Sequence, residues 1–205
     1  DGIWYTAVSG LWQTVWIEPV GSVRTTAMDI VTDIDASEVR FSLEGANLAS
    51  IDSISISVMD QKNLVATGAY RYGDQMVLFV PRARLWTTED PHLYNVSVKV
   101  TREDTVLDAF DTYFGMRKIS IEQDAMGHPR IFLNNRPVFL LGVLDQGWWP
   151  GGLYTPPGVD AMHYDLDMVK SLGYNTIRKH VKVEPSIWYR ACDERGLLVW
   201  QDIHN

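Results

Sequence analysis

The periodicity of the apolar residues changes partway along this 205-residue chain, and that change constrains the fold more than any other feature. Between Val15 and Tyr113, apolar and polar residues alternate in short runs such as SISISVMD (Ser53–Asp60), and Gly, Asp, Asn and Pro separate the runs. Runs of this kind predict antiparallel strands with one buried face. About seven or eight of them follow one another, which predicts an all-β, immunoglobulin-like β-sandwich.

Four other runs in this part of the chain are strand candidates. VRFSL (Val39–Leu43), QMVLFV (Gln75–Val80) and LYNVSVKV (Leu93–Val100) have the length and the residue types of strands. TVWIEPV (Thr14–Val20) is predicted to enter the sandwich as an edge strand, because Pro19 has no N–H to donate to a neighbour.

The pattern is different after Gly115. RIFLNNRPVFLLGV (Arg130–Val143) predicts a hairpin that turns at Asn134–Asn135, since Asn tolerates a positive φ. The second arm of that hairpin, Val138–Val143, is almost continuously apolar and is predicted to be a strand buried on both faces. A long loop rich in Gly, Pro and Trp follows, from Asp145 to Gly158.

The last part of the chain alternates strand and helix signals. Apolar residues recur at helical spacing in Asp160–Asn175, and EPSIWYRACDERG (Glu184–Gly196) predicts a second helix. Short apolar strands, Thr176–Lys179 and Leu197–Asp202, follow the two helices. This order with short connections predicts parallel strands joined by helical crossovers.

Three parallel strands and two helices cannot cover both faces of their own sheet. A (β/α)8 TIM barrel needs eight strands and typically about 250 residues. We therefore expect the residues from Met116 onward to be a truncated barrel opening, with the chain ending inside the barrel.

Composition and charge exclude several classes of function. The formal net charge of −8 argues against a nucleic-acid partner and against an anionic membrane surface. No run of 18 apolar residues is present, and the start of the chain lacks the pattern of a signal peptide. The single cysteine, Cys192, excludes an internal disulfide and is predicted to be a buried, inert thiol. No metal-ligand spacing, P-loop or dinucleotide fingerprint occurs, so neither a metal nor a cofactor is expected.

Six segments together resemble one enzyme family, and they occur in its order: SGLWQTVWIEP, LWTTEDPHLYNVSV, FGMRKI, IFLNNRPVFLLGV, YNTIRKH and GLLVWQD. The family is glycoside hydrolase family 2, which includes β-galactosidases, β-glucuronidases and β-mannosidases. The resemblance implies that residues 1–14 are the end of a jelly-roll, sugar-binding-like domain and a linker, that 15–115 form the sandwich, and that 116–205 open the catalytic barrel. It matches Val138–Leu144, Thr176–Lys179 and Leu197–Gln201 to barrel strands one to three.

The resemblance also implies a retaining hydrolysis of β-glycosidic bonds by two carboxylates through a covalent glycosyl-enzyme intermediate, as in a β-galactosidase. The family places both glutamates at the ends of barrel strands four and seven, which this chain does not contain. We therefore expect no catalytic residue in this chain and no activity from it alone. Glu184 and Glu194 are predicted to be capping or solvated residues at the two ends of the second helix.

Three residues near strand ends are candidates for supporting the site. Arg178 matches the family arginine that holds the nucleophilic carboxylate ionised. His180 follows Arg178 by two residues, whereas many family members have His three after Arg, so His180 is either a site residue or a loop histidine. Asp202 has three candidate roles: it binds a sugar hydroxyl, positions Arg178 or caps a following helix.

The loop after the first barrel strand carries the other candidates. Trp148, Trp149 and Tyr154 could form an aromatic wall for a pyranose ring, and of the two tryptophans we expect one to stack and one to anchor the loop. Asp145 is predicted to accept a sugar hydroxyl.

The expected partner is an oligosaccharide or glycoside substrate, while the sugar and the linkage stay open. The incomplete barrel is expected to pack on the sandwich and self-associate with another chain, or to be partly mobile. An exported bacterial enzyme, periplasmic or secreted, fits the family's habit. Two alternatives are a non-catalytic carbohydrate-binding module and a structural immunoglobulin-like domain.

Overall fold

A computed structural model describes residues 6–203, which divide into two compact units. One unit is Glu18–Val138, and the other combines Phe139–Asn205 with Asp1–Ile17, of which the described parts are 139–203 and 6–17. The division falls after Val138, later in the chain than the boundary expected after residue 115.

Seven strands of the first unit form two antiparallel sheets. The three-stranded sheet has the order β1-β2-β5 and the four-stranded sheet the order β4-β3-β6-β7. In a constant-type immunoglobulin domain the fourth strand lies beside the fifth, whereas here it pairs with the third. The strands are β1 (Arg24–Asp33), β2 (Glu38–Ala46), β3 (Ser53–Asp60), β4 (Asn63–Tyr70), β5 (Met76–Phe79), β6 (Tyr94–Arg102) and β7 (Thr105–Phe114).

The core of this unit lies between the two sheets. Alternate residues of each central strand are buried, because successive side chains of a strand point to opposite faces. One apolar cluster contains residues of both sheets, among them Val39 and Phe41 of β2 and Val96 and Val98 of β6. The prediction of a β-sandwich is confirmed.

The predicted edge strand Thr14–Val20 is wrong, since the structure describes this segment and assigns it no strand. The first strand begins at Arg24 instead. Alternation alone suggested a strand here, but Trp16 and Ile17 are exposed, so no buried face fixes the segment against a sheet.

A small antiparallel sheet completes the first unit. It consists of β8 (Ile119–Gln123), β9 (Pro129–Leu133) and β10 (Arg136–Pro137) in the order β10-β9-β8. Asn134 and Asn135 have φ of 51° and 62°, which confirms the predicted hairpin turn. The predicted buried strand over Val138–Val143 is wrong, because the next strand begins only at Gly142 and Phe139 is 80% exposed.

The second unit contains three parallel strands that alternate with two helices, as predicted. The strand order is β11-β12-β13, and both pairings are parallel. Of the helices in the described residues, neither is long and apolar enough to span a membrane. The elements are β11 (Gly142–Asp145), α1 (Val159–Ser171), β12 (Thr176–Lys179), α2 (Ser186–Arg195) and β13 (Leu198–Gln201).

The two faces of this parallel sheet differ. The pairing register places Val143, Ile177 and Val199 on one face, where they pack against both helices; we call it the helix face. Leu144, Arg178 and Trp200 lie on the opposite face, which we call the open face. Leu144 is 53% and Trp200 55% exposed, so the open face leaves apolar surface uncovered in this unit. A depression of about 600 Å³ lies there, lined by Leu140, Gly142, Val143, Leu144, Thr176, Arg178 and Trp200.

Candidate functional site

The open face ends in a group of polar side chains at the carboxyl ends of the strands. Because side chains alternate along a strand, His180 continues the face of Arg178, and Asp202 continues the face of Trp200. The Arg178 guanidinium donates from Nε to Asp202 Oδ1 at 3.2 Å and from Nη2 to Oδ2 at 2.9 Å. This two-point pairing fixes the plane of the guanidinium. Of the three roles considered for Asp202, the positioning of Arg178 is the one that a direct contact supports.

His180 belongs to the same group. Its Nδ1 lies 2.7 Å from the Gln146 amide nitrogen, which can only donate, so Nδ1 accepts in this arrangement. Its Nε2 lies 3.8 Å from Asp202 Oδ2. Gln146 was not predicted as a site residue, although its position two residues after Leu144 places it on the open face. We call Gln146, Arg178, His180 and Asp202 the open-face cluster.

The electrostatics of the open-face cluster follow from its ion pair. The hydrogen bond from Arg178 lowers the pKa of Asp202, and the nearby His180 acts in the same direction. Asp202 in turn raises the pKa of Arg178. The pair is therefore fully ionised at neutral pH. Two of the five guanidinium donors are used in it, which leaves donors for an anionic or hydroxyl-bearing group on the open face.

Asp145 points away from this cluster. It pairs in register with Lys179 on the helix face, where its Oδ2 accepts from Lys179 Nζ at 2.6 Å. Its Oδ1 accepts from the Gly147 backbone N–H at 2.7 Å. Both carboxylate oxygens thus hold protein groups, and Asp145 is not brought together with Arg178.

A buried ionic cluster lies at the same strand ends on the helix-face side. Glu184 Oε1 accepts from Lys179 Nζ at 2.8 Å and lies 3.1 Å from Lys182 Nζ. Lys179, Lys182 and Glu184 are 0%, 1% and 5% exposed. Two lysines and two carboxylates, Asp145 being the second, balance their charges as burial requires. We call these four residues the lysine cluster.

The predicted capping or solvated role of Glu184 is wrong, because the carboxylate is the buried counter-ion of two lysines. Glu194 does match the prediction: it lies on the exposed side of α2 and pairs with Arg190 at 2.8 Å. The burial of Lys179, one of the two lysines that Glu184 neutralises, could have been predicted from the sequence. Lys179 lies two residues after the buried Ile177 and so shares its face.

Aromatic rings cover the two ammonium groups. Lys179 Nζ lies 4.4 Å from the centroid of Trp188, and Lys182 Nζ lies 4.7 Å from that of Tyr154. Such contacts favour a desolvated cation. Burial lowers the pKa of Lys182, and the attraction of Glu184 opposes that shift.

The two predicted loop tryptophans have different surroundings. Trp149 packs on the apolar cluster of helices and strands, and its backbone forms a bridge with Leu153. Trp148 is half-buried, and its ring meets the edge of Tyr154 at 6.2 Å between centroids. The Tyr154 hydroxyl donates to Val181 O at 3.1 Å, and its ring contacts Trp12 at 5.3 Å. Trp148 and Tyr154 therefore form a ring pair in the loop, while Trp149 anchors it.

Comparison with known proteins places this chain in a family. Residues 14–117, just over half of the chain, match the family described as Glycosyl hydrolases family 2. A putative beta-glucuronidase of Formosa agariphila is 32% identical over 128 residues, which are 62% of this chain and 12% of that protein. A beta-galactosidase of Thermoanaerobacter pseudethanolicus is 24% identical over 213 residues, covering 97% of this chain and 28% of that protein.

Solved structures share the fold. The β-glucuronidase of Ruminococcus gnavus has a TM-score of 0.78 at 22% identity, covering 89% of this chain and 30% of that one. The β-D-glucuronidase of Dictyoglomus thermophilum has a TM-score of 0.76 at 20% identity, covering 88% and 29%. This chain thus spans less than a third of each of these relatives. The match over residues 14–117 establishes that the chain belongs to glycosyl hydrolases family 2.

Proposed function

We propose that the chain is part of a retaining, β-galactosidase-like glycoside hydrolase, in which it supplies the sandwich and the first three strands of a (β/α)8 barrel. The observation that carries the proposal is the open-face cluster. Arg178, His180 and Asp202 meet at the carboxyl ends of parallel strands, on the face that the helices leave uncovered. Barrel enzymes hold their sites at that end of the strands, with the helices on the outside.

The barrel assignment is supported by the open face itself. Barrel interiors are filled by layers of side chains from alternate strands. Leu144 and Trp200 are large, apolar and about half exposed on that face. Further strands would cover them. In this proposal residues 1–14 belong to the end of a preceding jelly roll, 15–115 to the sandwich and 116–205 to the barrel; residues 1–5 lie outside the described part.

Arg178 is proposed to hold a nucleophilic carboxylate ionised, with Asp202 fixing the guanidinium plane. His180 and Gln146 lie beside it and could bind sugar hydroxyls. Trp148 and Tyr154 are proposed as the wall against the apolar face of a pyranose ring. Asp145 and Trp149 are proposed to hold the loop that carries these rings, Asp145 by accepting from the Gly147 N–H and Trp149 through its bridge with Leu153.

The catalytic glutamates are proposed to come from elsewhere than these 205 residues. Two glutamates lie within residues 139–203, and both have other tasks: Glu184 neutralises the buried lysines and Glu194 pairs with Arg190 on a helix surface. A retaining hydrolase needs two carboxyl groups about 5–5.5 Å apart at the scissile bond. We therefore expect the chain alone to bind a glycoside without cleaving it.

The test uses the purified, isotope-labelled chain and a panel of aryl β-glycosides of galactose, glucuronic acid, mannose and glucosamine. We expect no release of the aryl group, and binding with a Kd of roughly 1 mM or weaker that shifts the indole N–H signal of Trp148. The indole of Trp86, buried in the sandwich unit, is the internal control and stays unshifted.

Two results would overturn the proposal. Release of the aryl group at an enzyme-like rate would mean that the chain holds its own catalytic carboxylates. Shifts confined to the sandwich signals would instead support a carbohydrate-binding module.

A further inference from the structure

One ammonium group joins two points of the loop that follows β11, one at its start and one beyond its middle. Lys182 Nζ donates to Gly147 O at 2.9 Å and to Tyr154 O at 2.9 Å. Its third acceptor is Glu184 Oε1 at 3.1 Å. A lysine has three donors, so all of them are used, and two of the three hold backbone carbonyls seven residues apart in the same loop.

The loop fits closely against this contact. Gly147 has a φ of +62°, and a Cβ built on it would lie 2.5 Å from Glu184 Oε1 and 2.8 Å from Lys182 Nζ. Only glycine meets both conditions without displacing the ion pair. The backbone at Gly147 therefore packs directly against the Lys182–Glu184 ion pair, and the position of that pair limits the conformation of the loop there.

A second pair of hydrogen bonds joins two residues within the stretch Gly147–Tyr154. Trp149 N donates to Leu153 O at 2.7 Å, and Leu153 N donates to Trp149 O at 2.9 Å. Trp148 lies between the carbonyl held by Lys182 and the residue held by Leu153, so its backbone is fixed on both sides. The Lys182 ammonium also lies against the ring of Tyr154, the edge-to-face neighbour of Trp148.

We propose that Lys182, with Glu184 as its counter-ion, is a positioning residue for sugar binding: it orders the loop Gly147–Tyr154 and so presents the Trp148 ring. The inference rests on the proposed function, in which Trp148 stacks on a pyranose. Lys182 itself has 1% of its surface exposed and all donors engaged, so it acts through the loop and not by touching the sugar.

The experiment compares the wild-type chain with Lys182→Met, Trp148→Ala and the double variant. Lys170→Met is the matched control, because Lys170 also donates to a backbone carbonyl of this unit, Gly196 O at 3.1 Å, away from the loop. Lys182→Met combined with Glu184→Gln removes both charges together and serves if the single lysine variant does not fold.

Two quantities are measured on each variant. Amide hydrogen exchange without ligand reports the order of the loop, and titration with a methyl β-glycoside reports affinity. In Lys182→Met we expect exchange at least tenfold faster across Gly147–Tyr154 and unchanged across α1. We expect affinity to fall about three- to tenfold in Lys182→Met and in Trp148→Ala alike, the range of one aromatic contact.

The double variant separates positioning from general destabilisation. If Lys182 acts through Trp148, the double variant binds no more weakly than Trp148→Ala alone. Additive losses would overturn the inference, as would unchanged loop exchange in Lys182→Met. A Trp148→Ala chain that binds like the wild type would overturn the stacking role in the proposed function. The exchange data would then still decide whether Lys182 orders the loop.

Discussion

The open-face cluster and the lysine cluster lie at the ends of the same three strands, yet the first exposes its charged groups to solvent and the second buries them. Arg178 and Lys179 are neighbours on β12 and point to opposite faces. Arg178 keeps its ion pair in contact with solvent, with its side chain 54% exposed, whereas Lys179 is completely buried beneath α2. The alternation of one strand thus places one cation on the exposed face and the next in the buried ionic cluster.

The two faces differ in how strongly their ion pairs affect the free energy of folding and in how easily a ligand can rearrange them. A buried ion pair loses much when one partner is removed, because the remaining charge has no water to solvate it. A solvent-exposed pair contributes little to folding and can be reorganised by a ligand. The buried cluster can therefore fix the strand ends, while the exposed ion pair stays accessible to solvent.

The largest effect is expected from Glu184→Gln. It leaves Lys179 and Lys182 with Asp145 as the one carboxylate of the lysine cluster, and the free energy of unfolding should fall by about 3–5 kcal/mol. Urea denaturation measures the loss. Glu194→Gln, on the exposed side of the next helix, is the control and should change it by less than about 0.5 kcal/mol. Equal losses for the two variants would contradict the contrast between buried and exposed charge.

A second comparison sets the two faces of the sheet against each other. Ile177→Ala opens a cavity in the core under the helices and should cost about 2–5 kcal/mol. Leu144→Ala, on the open face, should cost less than about 1 kcal/mol because Leu144 is already half exposed. If Leu144→Ala proves as costly, the open face is covered in solution. A cost that grows with protein concentration would identify the cover as a second copy of the chain.

The smallest effect on folding is expected from Arg178→Gln. The hydrogen bond from Arg178 is the main cause that lowers the pKa of Asp202, so that pKa should rise toward its ordinary value in the variant. A carboxyl with a lowered pKa adds stability above its unfolded-state pKa and loses it as the pH falls through its folded-state pKa. Variant and wild type should therefore differ at neutral pH and converge in acid. Carbon-13 titration of the Asp202 carboxyl measures the shift, and an unchanged midpoint would show that Arg178 does not set it.

Much of the fold was predictable because local signals and tertiary packing agree there. The run Ser53–Asp60 was predicted as a strand and is β3, since its alternation matches the buried face of the sandwich. The errors arose where tertiary contacts decide. Leu141 N–H is held by the Asn175 side chain, and Asn175 N donates to Leu141 O, so the chain pairs with β12 only from Gly142 onward. An apolar run in the sequence does not show which of its residues pair with a neighbouring strand.

The candidate site was predictable in part for the same reason. Arg178, His180 and Asp202 were found from their places at strand ends, and the structure brings them together. Gln146, Lys179 and Lys182 were missed and Glu184 was misassigned, because charged and amide side chains are mostly found exposed to solvent. Asp145 was predicted, but as a sugar ligand and not as a partner of Lys179. Counting every second residue from Ile177 or Leu144 would have assigned Lys179 and Gln146 to their faces.

The two hydrogen bonds that Lys182 gives to the loop after β11 also matter for engineering. The side chain that fixes Gly147 and Tyr154 is Lys182, which lies in the connection between β12 and α2. Contacts from outside the loop therefore hold the stretch Gly147–Tyr154 at both of its ends. Apart from Trp149, which packs on the apolar cluster of this unit, we expect its residues to tolerate exchange for another sequence that spans the same two anchor points. If the proposed function holds, a library at this one place in the chain would vary sugar preference, while the two hydrogen bonds from Lys182 would hold each inserted sequence at the same two points.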